Sequence, residues 1–307
     1  MKKALTVIAA IIVVALIIGG IAHYVSTRDD QQLPPGAEPA PTEAPPTPEQ
    51  PDWCPTYEVI AAPGTWESAA DDDPINPQAN PNSFMLTVTR PLQERYTPDE
   101  VKVWTLPYTA QFKSRQAMDQ MGYDESRDEG TSRVRGEMIT THEQCPKTEF
   151  ILTGFSQGAV IIGDLANDIG NSDQPIPADR VKGVALVADG RREPGVGIDP
   201  GYNVPGVGAE VSLEALNPVV GLALPGATMR GPRVGGFGSL SDRTFEICAP
   251  NDHICDLPIG VPNAIDRAQA IADNTGIHAQ YATNPDVIPG QTTSQWLVGW
   301  VEGLIDN

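Results

Sequence analysis

From Pro51 onward, short apolar runs alternate with helical stretches, and this alternation restricts the possible folds more than any other feature of the chain. Tyr57–Ala62 (YEVIAA), residues 101–106 (VKVWTL), residues 150–153 (FILT) and Val181–Val187 (VKGVALV) read as buried strands, with residues 243–248 (RTFEIC) as a fifth. Residues 84–96, 126–144 and 157–169 read as helices, and 264–274 and 293–304 add two more. Apolar strands separated by helices argue for a parallel sheet covered on both faces, an α/β fold. Residues 191–238 break the pattern: they are dense in Gly and Pro, with one short apolar piece near 213–224. Such a long stretch reads as an insertion of the kind that forms lids or binding loops.

Ahead of this body, Met1-Lys2-Lys3 precedes an uninterrupted apolar or Gly run over residues 4–22. A helix of that length reaches about 28 Å, close to the thickness of a bilayer core. The lysines favour a cytoplasmic N-terminus, with Asp29-Asp30 on the far side. The run reads as a membrane anchor, or as a cleaved signal sequence with Gly20 and Ala22 before the cut, although secretory apolar regions run roughly 7–15 residues. In both cases the body is expected to be extracytoplasmic, tethered to the plasma membrane through the helix or secreted if it is cut. Residues 33–51 (LPPGAEPAPTEAPPTPEQP) favour extended polyproline geometry and read as a spacer. The expected organisation is therefore an anchor or signal at 1–25, a Pro-rich linker at 26–52 and a single domain at 53–307. Over the whole chain, 20 Lys and Arg against 40 Asp and Glu give a net charge of −20, which phosphate backbones repel, so nucleic acid is not an expected partner.

The strand at 150–153 runs into Gly154-Phe155-Ser156-Gln157-Gly158 and then into a helix. G-x-S-x-G between a strand and a helix permits a strained turn that lifts Ser156 to the sheet's C-terminal edge. The helix N-terminus supplies positive partial charge where an oxyanion would form. A serine nucleophile needs a base held by a carboxylate, and in this topology the order is Ser, acid, His. His253 and His278 are the histidines after Ser156. His253 adjoins Asp252 on one tight loop, so its ring is expected to point away, whereas His278 follows a helix and is better placed as base. Asp252 lies between Cys248 and Cys255 after the fifth strand, where the acid belongs; Asp189, after the fourth strand, is the rival acid. Cys248 and Cys255 can close a small loop around Asp252, leaving Cys54 and Cys145 for a second bridge. With no CxxC or HxxxH spacing, no metal or other cofactor is expected.

Together, Cys145-Pro146 before a strand, Gly154-Phe155-Ser156-Gln157-Gly158-Ala159, Asp252 within the 248–255 loop, and His278 with Tyr281 resemble the cutinase family. The likeness spans roughly residues 54–281 and is nearest to membrane-anchored cutinase-like proteins of mycolic-acid-containing actinobacteria, which share a leader, a Pro-rich spacer and a Gly/Pro-rich insertion. The resemblance implies an α/β-hydrolase with a central, mostly parallel sheet and Ser156, His278 and Asp252 as nucleophile, base and orienting acid. It also implies an oxyanion hole from the backbone N–H groups of Gln157 and Thr65, where fungal relatives carry a small hydroxyl residue at the Thr65 position. The insertion is longer than in the fungal enzymes, and so is the spacing from Asp252 to His278, which leaves substrate shape open. The implied function is an extracytoplasmic serine carboxylic-ester hydrolase acting on lipid acyl esters, of lipase, phospholipase A or thioesterase type, in mycolate-envelope lipid metabolism. The alternative is a non-catalytic envelope protein that binds lipid or a partner on the same scaffold. The apolar helix at 294–305 is a further candidate for partner binding or for packing on the sheet, and residues 219–224 read as a lipid-facing flap or as core.

Overall fold

The computed structural model describes residues 50–115, 117–258 and 275–306. The apolar run at 4–22 and the helix expected at 264–274 lie outside these described residues. Five strands, β1 (Tyr57–Ala62), β2 (Val101–Thr105), β3 (Glu149–Phe155), β4 (Val181–Val187) and β5 (Thr244–Ile247), form one sheet in the order β2-β1-β3-β4-β5, every pair parallel. All five follow the expected runs; β3 extends two residues further, through Gly154 and Phe155, to the turn that carries Ser156.

The strands are apolar on both faces because each face has its own helical cover. Alternate residues point opposite ways, so Val59, Ala61 and Ile151 join α1 (Leu86–Arg95) and α7 (Thr293–Ile305) in one core. Ile60, Ala62, Phe150 and Leu152 join α2 (Tyr123–Gln144) and α3 (Gln157–Ser172) in the other. The terminal helix α7 is therefore a packing element: Leu297 and Val301 are fully buried, and Trp296 stacks on Trp300 beside Phe245. Its start is fixed by a capping box between Thr292 and Gln295.

The insertion is ordered and anchored. It contains α4 (Ala209–Leu213) and α5 (Asn217–Ala223), which build a small third core in which Leu213, Val220 and Met229 meet Tyr123 of α2 and Leu257. Within α5 the two readings divide by face, with Val220 buried while Val219 and Leu222 are exposed. Asp164 of α3 receives Arg191 at 2.8 Å, Arg233 at 2.9 Å and Arg230, a triple ion pair that ties three points of the insertion to the helix behind the nucleophile.

This strand order places a switch point between β1 and β3, where successive crossovers leave in opposite directions. In open parallel sheets the crevice beyond the carboxyl ends of such strands is where ligands bind. β1 ends at Ala62, three residues before Thr65, and β3 ends at Phe155, next to Ser156.

Candidate active site

Ser156 sits at φ 55° and ψ −117°, a conformation disfavoured for a side chain, at the sharp junction of β3 and α3. The flanking glycines make the turn sterically feasible. A Cβ on Gly154 would lie 2.3 Å from the Gly158 carbonyl oxygen, and one on Gly158 would lie 2.0 Å from that of Ala62. The Ser156 N–H donates to the Val187 carbonyl at 2.9 Å, fixing the turn against β4.

His278, at the end of the helical turn α6 (Thr275–His278), brings Nε2 within 2.9 Å of Ser156 Oγ and Nδ1 within 2.9 Å of Asp252 Oδ2. An ionised carboxylate only accepts, so Nδ1 carries the proton and Nε2 is left to accept from the serine hydroxyl. The half-buried imidazole stacks on Phe155, centroids 4.9 Å apart at 24°. Asp252 is fully buried, and its Oδ1 accepts the Ile254 N–H at 3.0 Å. Its Oδ2 also receives the Tyr281 hydroxyl at 2.7 Å, and that hydroxyl accepts the Ala249 N–H at 2.9 Å. Burial and the adjacent Asp252 carboxylate push the Tyr281 phenol well above its ordinary range, so it stays a donor.

The other candidates lie elsewhere. Asp189 is buried against Arg233, and the Arg191 N–H donates to it at 3.0 Å; it closes an ion pair in the insertion. His253 lies on the acid loop, but the imidazole that spans Asp252 and Ser156 is that of His278. Both expected disulfides form: Cys248–Cys255 closes the acid loop, and Cys54–Cys145 joins the start of the domain to the end of α2. Among the described residues no group of His, Cys, Asp and Glu could hold a metal ion, and no helix is long and apolar enough to cross a membrane.

Thr65 and Gln157, 92 positions apart, are joined directly: the Thr65 hydroxyl donates to Gln157 Oε1 at 2.9 Å. Gln157 Nε2 donates onward to Ser126 Oγ at 2.8 Å, and Ser126 donates to the Thr109 carbonyl at 2.5 Å. Among the described residues neither the Thr65 N–H nor the Gln157 N–H donates to a protein acceptor. Two unused backbone donors beside a serine oxygen are what a developing oxyanion requires. Sequence reasoning did not find Glu67 and Ser126. Glu67 accepts the Gly64 N–H at 3.1 Å, the Phe84 N–H at 3.0 Å and the Ser83 hydroxyl at 3.1 Å, tying the Thr65 loop to the start of α1. Burial raises its carboxyl against the lowering effect of those three donors. The three-position spacing from Gly64 to Glu67 is the one local hint that such a clamp exists.

The arrangement can therefore deliver an activated hydroxyl to a carbonyl and hold the resulting oxyanion. Comparison with known proteins shows the family. The family model for cutinase matches residues 53–284. A protein named Carboxylesterase Culp6 homolog, from Corynebacterium glutamicum, is 62% identical over 309 residues, covering the whole of both chains. Among solved structures, the catalytic core domain of acetyl xylan esterase from Trichoderma reesei superposes with a TM-score of 0.53 at 17% identity, over 82% of this chain and 99% of that one, a likeness of fold. The chain belongs to the cutinase family, on an α/β-hydrolase fold, and is a carboxylic-ester hydrolase.

Proposed function

We propose that the protein is an extracytoplasmic serine hydrolase of lipid acyl esters of the cell envelope, working through Ser156, His278 and Asp252. The observation that carries this reading is the unbroken hydrogen-bonded line from Asp252 through His278 to Ser156 Oγ, with two undonated N–H groups alongside. In this mechanism His278 Nε2 takes the Ser156 proton as Oγ attacks the ester carbonyl. Asp252 holds the tautomer and stabilises the imidazolium. The N–H groups of Thr65 and Gln157 receive the oxyanion, and the charge they meet exists fully only in the tetrahedral state. His278 then protonates the leaving alcohol, and water, activated by the same imidazole, releases the acid from Ser156.

Two features support an exported enzyme acting on lipid: the apolar run at 4–22 followed by a Pro-rich spacer, and two disulfides, which persist in oxidising compartments. The exposed side chain of Trp66, directly beside Thr65, supports a hydrocarbon-bearing substrate. The test is labelling of intact cells producing the full-length chain with a membrane-impermeant fluorophosphonate, beside Ser156→Ala. Labelling of the wild type that disappears in the variant is expected. Labelling only after lysis would remove the extracytoplasmic placement. No labelling of folded protein in either state would remove the catalytic assignment and favour a binding protein on the same scaffold.

A further inference from the structure

Trp66 directly follows Thr65 and is held at φ 65°, in the left-handed region that bulky L-residues avoid. Three bonds to three segments keep it there. Its backbone N–H donates to the Ala110 carbonyl at 2.5 Å, its carbonyl accepts Asn80 Nδ2 at 3.1 Å, and its indole N–H donates to Gln120 Oε1 at 2.9 Å. Despite this restraint the side chain is 60% exposed. A chain that needed only the turn would place Gly or Asn there. Instead, a strained position carries a large apolar ring, its one polar atom already satisfied and its orientation fixed.

Hydrogen bonds link Trp66 to segments that also expose apolar side chains. Gln120 belongs to the loop 111–121, in which Lys113 and Met121 pair, and the exposed Met118 lies on that loop. Arg115 donates to the Leu222 carbonyl at 3.2 Å, joining the loop to α5, where Leu222 is 71% exposed. At the loop's base the Gln111 N–H donates to Ser126 Oγ, the atom that receives the Gln157 amide. Through the 111–121 loop, Trp66 and the oxyanion-binding groups are thus tied into one hydrogen-bonded assembly.

We infer that Trp66 is a specificity-determining residue: its fixed indole, directly beside Thr65, is the wall against which the hydrocarbon tail of the ester lies. The inference rests on the lipid-ester reading. A rigid aromatic face gains contact with an alkyl chain at little cost in side-chain entropy, so the selectivity belongs to long esters.

The experiment measures kcat and KM for p-nitrophenyl acetate, hexanoate and decanoate, varying the acyl tail, and for hexyl and decyl acetate, varying the alcohol tail. The full-length wild type is compared with Trp66→Gly, Trp66→Asn and Trp66→Phe, all below the aggregation threshold of the esters. Gly and Asn both accept the positive φ while removing the wall, so one of them serves if the other fails to fold, with thermal melting as the check. The decanoate-to-acetate or decyl-to-hexyl ratio of kcat/KM falls about tenfold, or about 1.4 kcal/mol, mainly through KM, in Gly and Asn, and Phe restores most of it. The series that responds identifies the tail as acyl or alcohol. Ratios unchanged in both series overturn the inference. So does an equal fall in kcat at every chain length, which would make Trp66 a positioner of the Thr65 N–H. A wild-type preference for acetate would instead overturn the lipid-ester reading, and the change in ratio would still decide the role of Trp66.

Discussion

The bond from the Thr65 hydroxyl to the Gln157 side chain joins two segments that leave different strands, and in the proposed mechanism each contributes one backbone N–H to the oxyanion. Thr65→Val keeps the N–H and the shape but removes the bond. Loss of a whole oxyanion donor costs about 10²–10³ in kcat; with both donors retained and only their spacing loosened, kcat should fall between about 10- and 100-fold. KM should change little, and Thr65→Ser should restore the rate. Steady-state kinetics of the three proteins decide it, and a wild-type kcat in Thr65→Val would show that each loop holds its N–H alone. At this scale the sequence was uneven in what it disclosed. Ser156 was legible because strain, strand and helix are local to G-x-S-x-G, and Asp252 because two cysteines bracket it. The Ser126 support for Gln157 was not, because the partners are 31 positions apart and serine has no distinctive spacing there. Trp66 stood in plain view beside Thr65, but its positive φ is set by Ala110, Asn80 and Gln120, which no pattern connects to it.

The acid loop shows how one element divides stability from function. Closing seven positions with Cys248–Cys255 restricts the unfolded chain by about 2–3 kcal/mol in the loop-entropy model. Asp252 itself is held by other means. Its N–H donates to the Ala249 carbonyl, its carbonyl accepts from Cys255 and Asp256, and its carboxylate receives Ile254 and Tyr281. Cys248→Ala with Cys255→Ala should therefore lower the melting temperature by roughly 5–10 °C, while kcat at 25 °C stays within about tenfold of wild type. A collapse of kcat in a protein that still melts cooperatively would show that the crosslink, rather than the hydrogen bonds, places the carboxylate. The sequence anticipated the bridge and both helices flanking Ser156. It did not anticipate α4 or the anchoring of the insertion, because ion pairs to Asp164 from residues 27 to 69 positions away leave no periodic signature.

Over the whole molecule an excess of 20 acidic charges coexists with carboxylates drawn inward. Glu246 on β5 is almost fully buried, accepts the Gly197 N–H at 3.0 Å, and lies near Asp189, Arg233 and Arg192. Burial first, then repulsion by Asp189, push its carboxyl from the ordinary 4.5 up to about 8, against the lowering pull of Arg233 and Arg192. Between those two values the folded protein keeps a proton that the unfolded chain has released, so stability from this group is full below about 4.5 and is lost as pH rises through about 8. Surface repulsion among the other acids acts in the same direction, so a wild-type curve alone cannot isolate the group. Glu246→Gln removes the titration while leaving an acceptor for Gly197. Melting curves of both proteins from pH 5 to 9 should nearly coincide at the acid end and separate toward pH 9, with the variant the more stable. A melting difference that is constant across the range would mean that Glu246 is already ionised in the folded protein, held so by Arg233 and Arg192, and that the insertion rests on a charged rather than a protonated contact with the sheet.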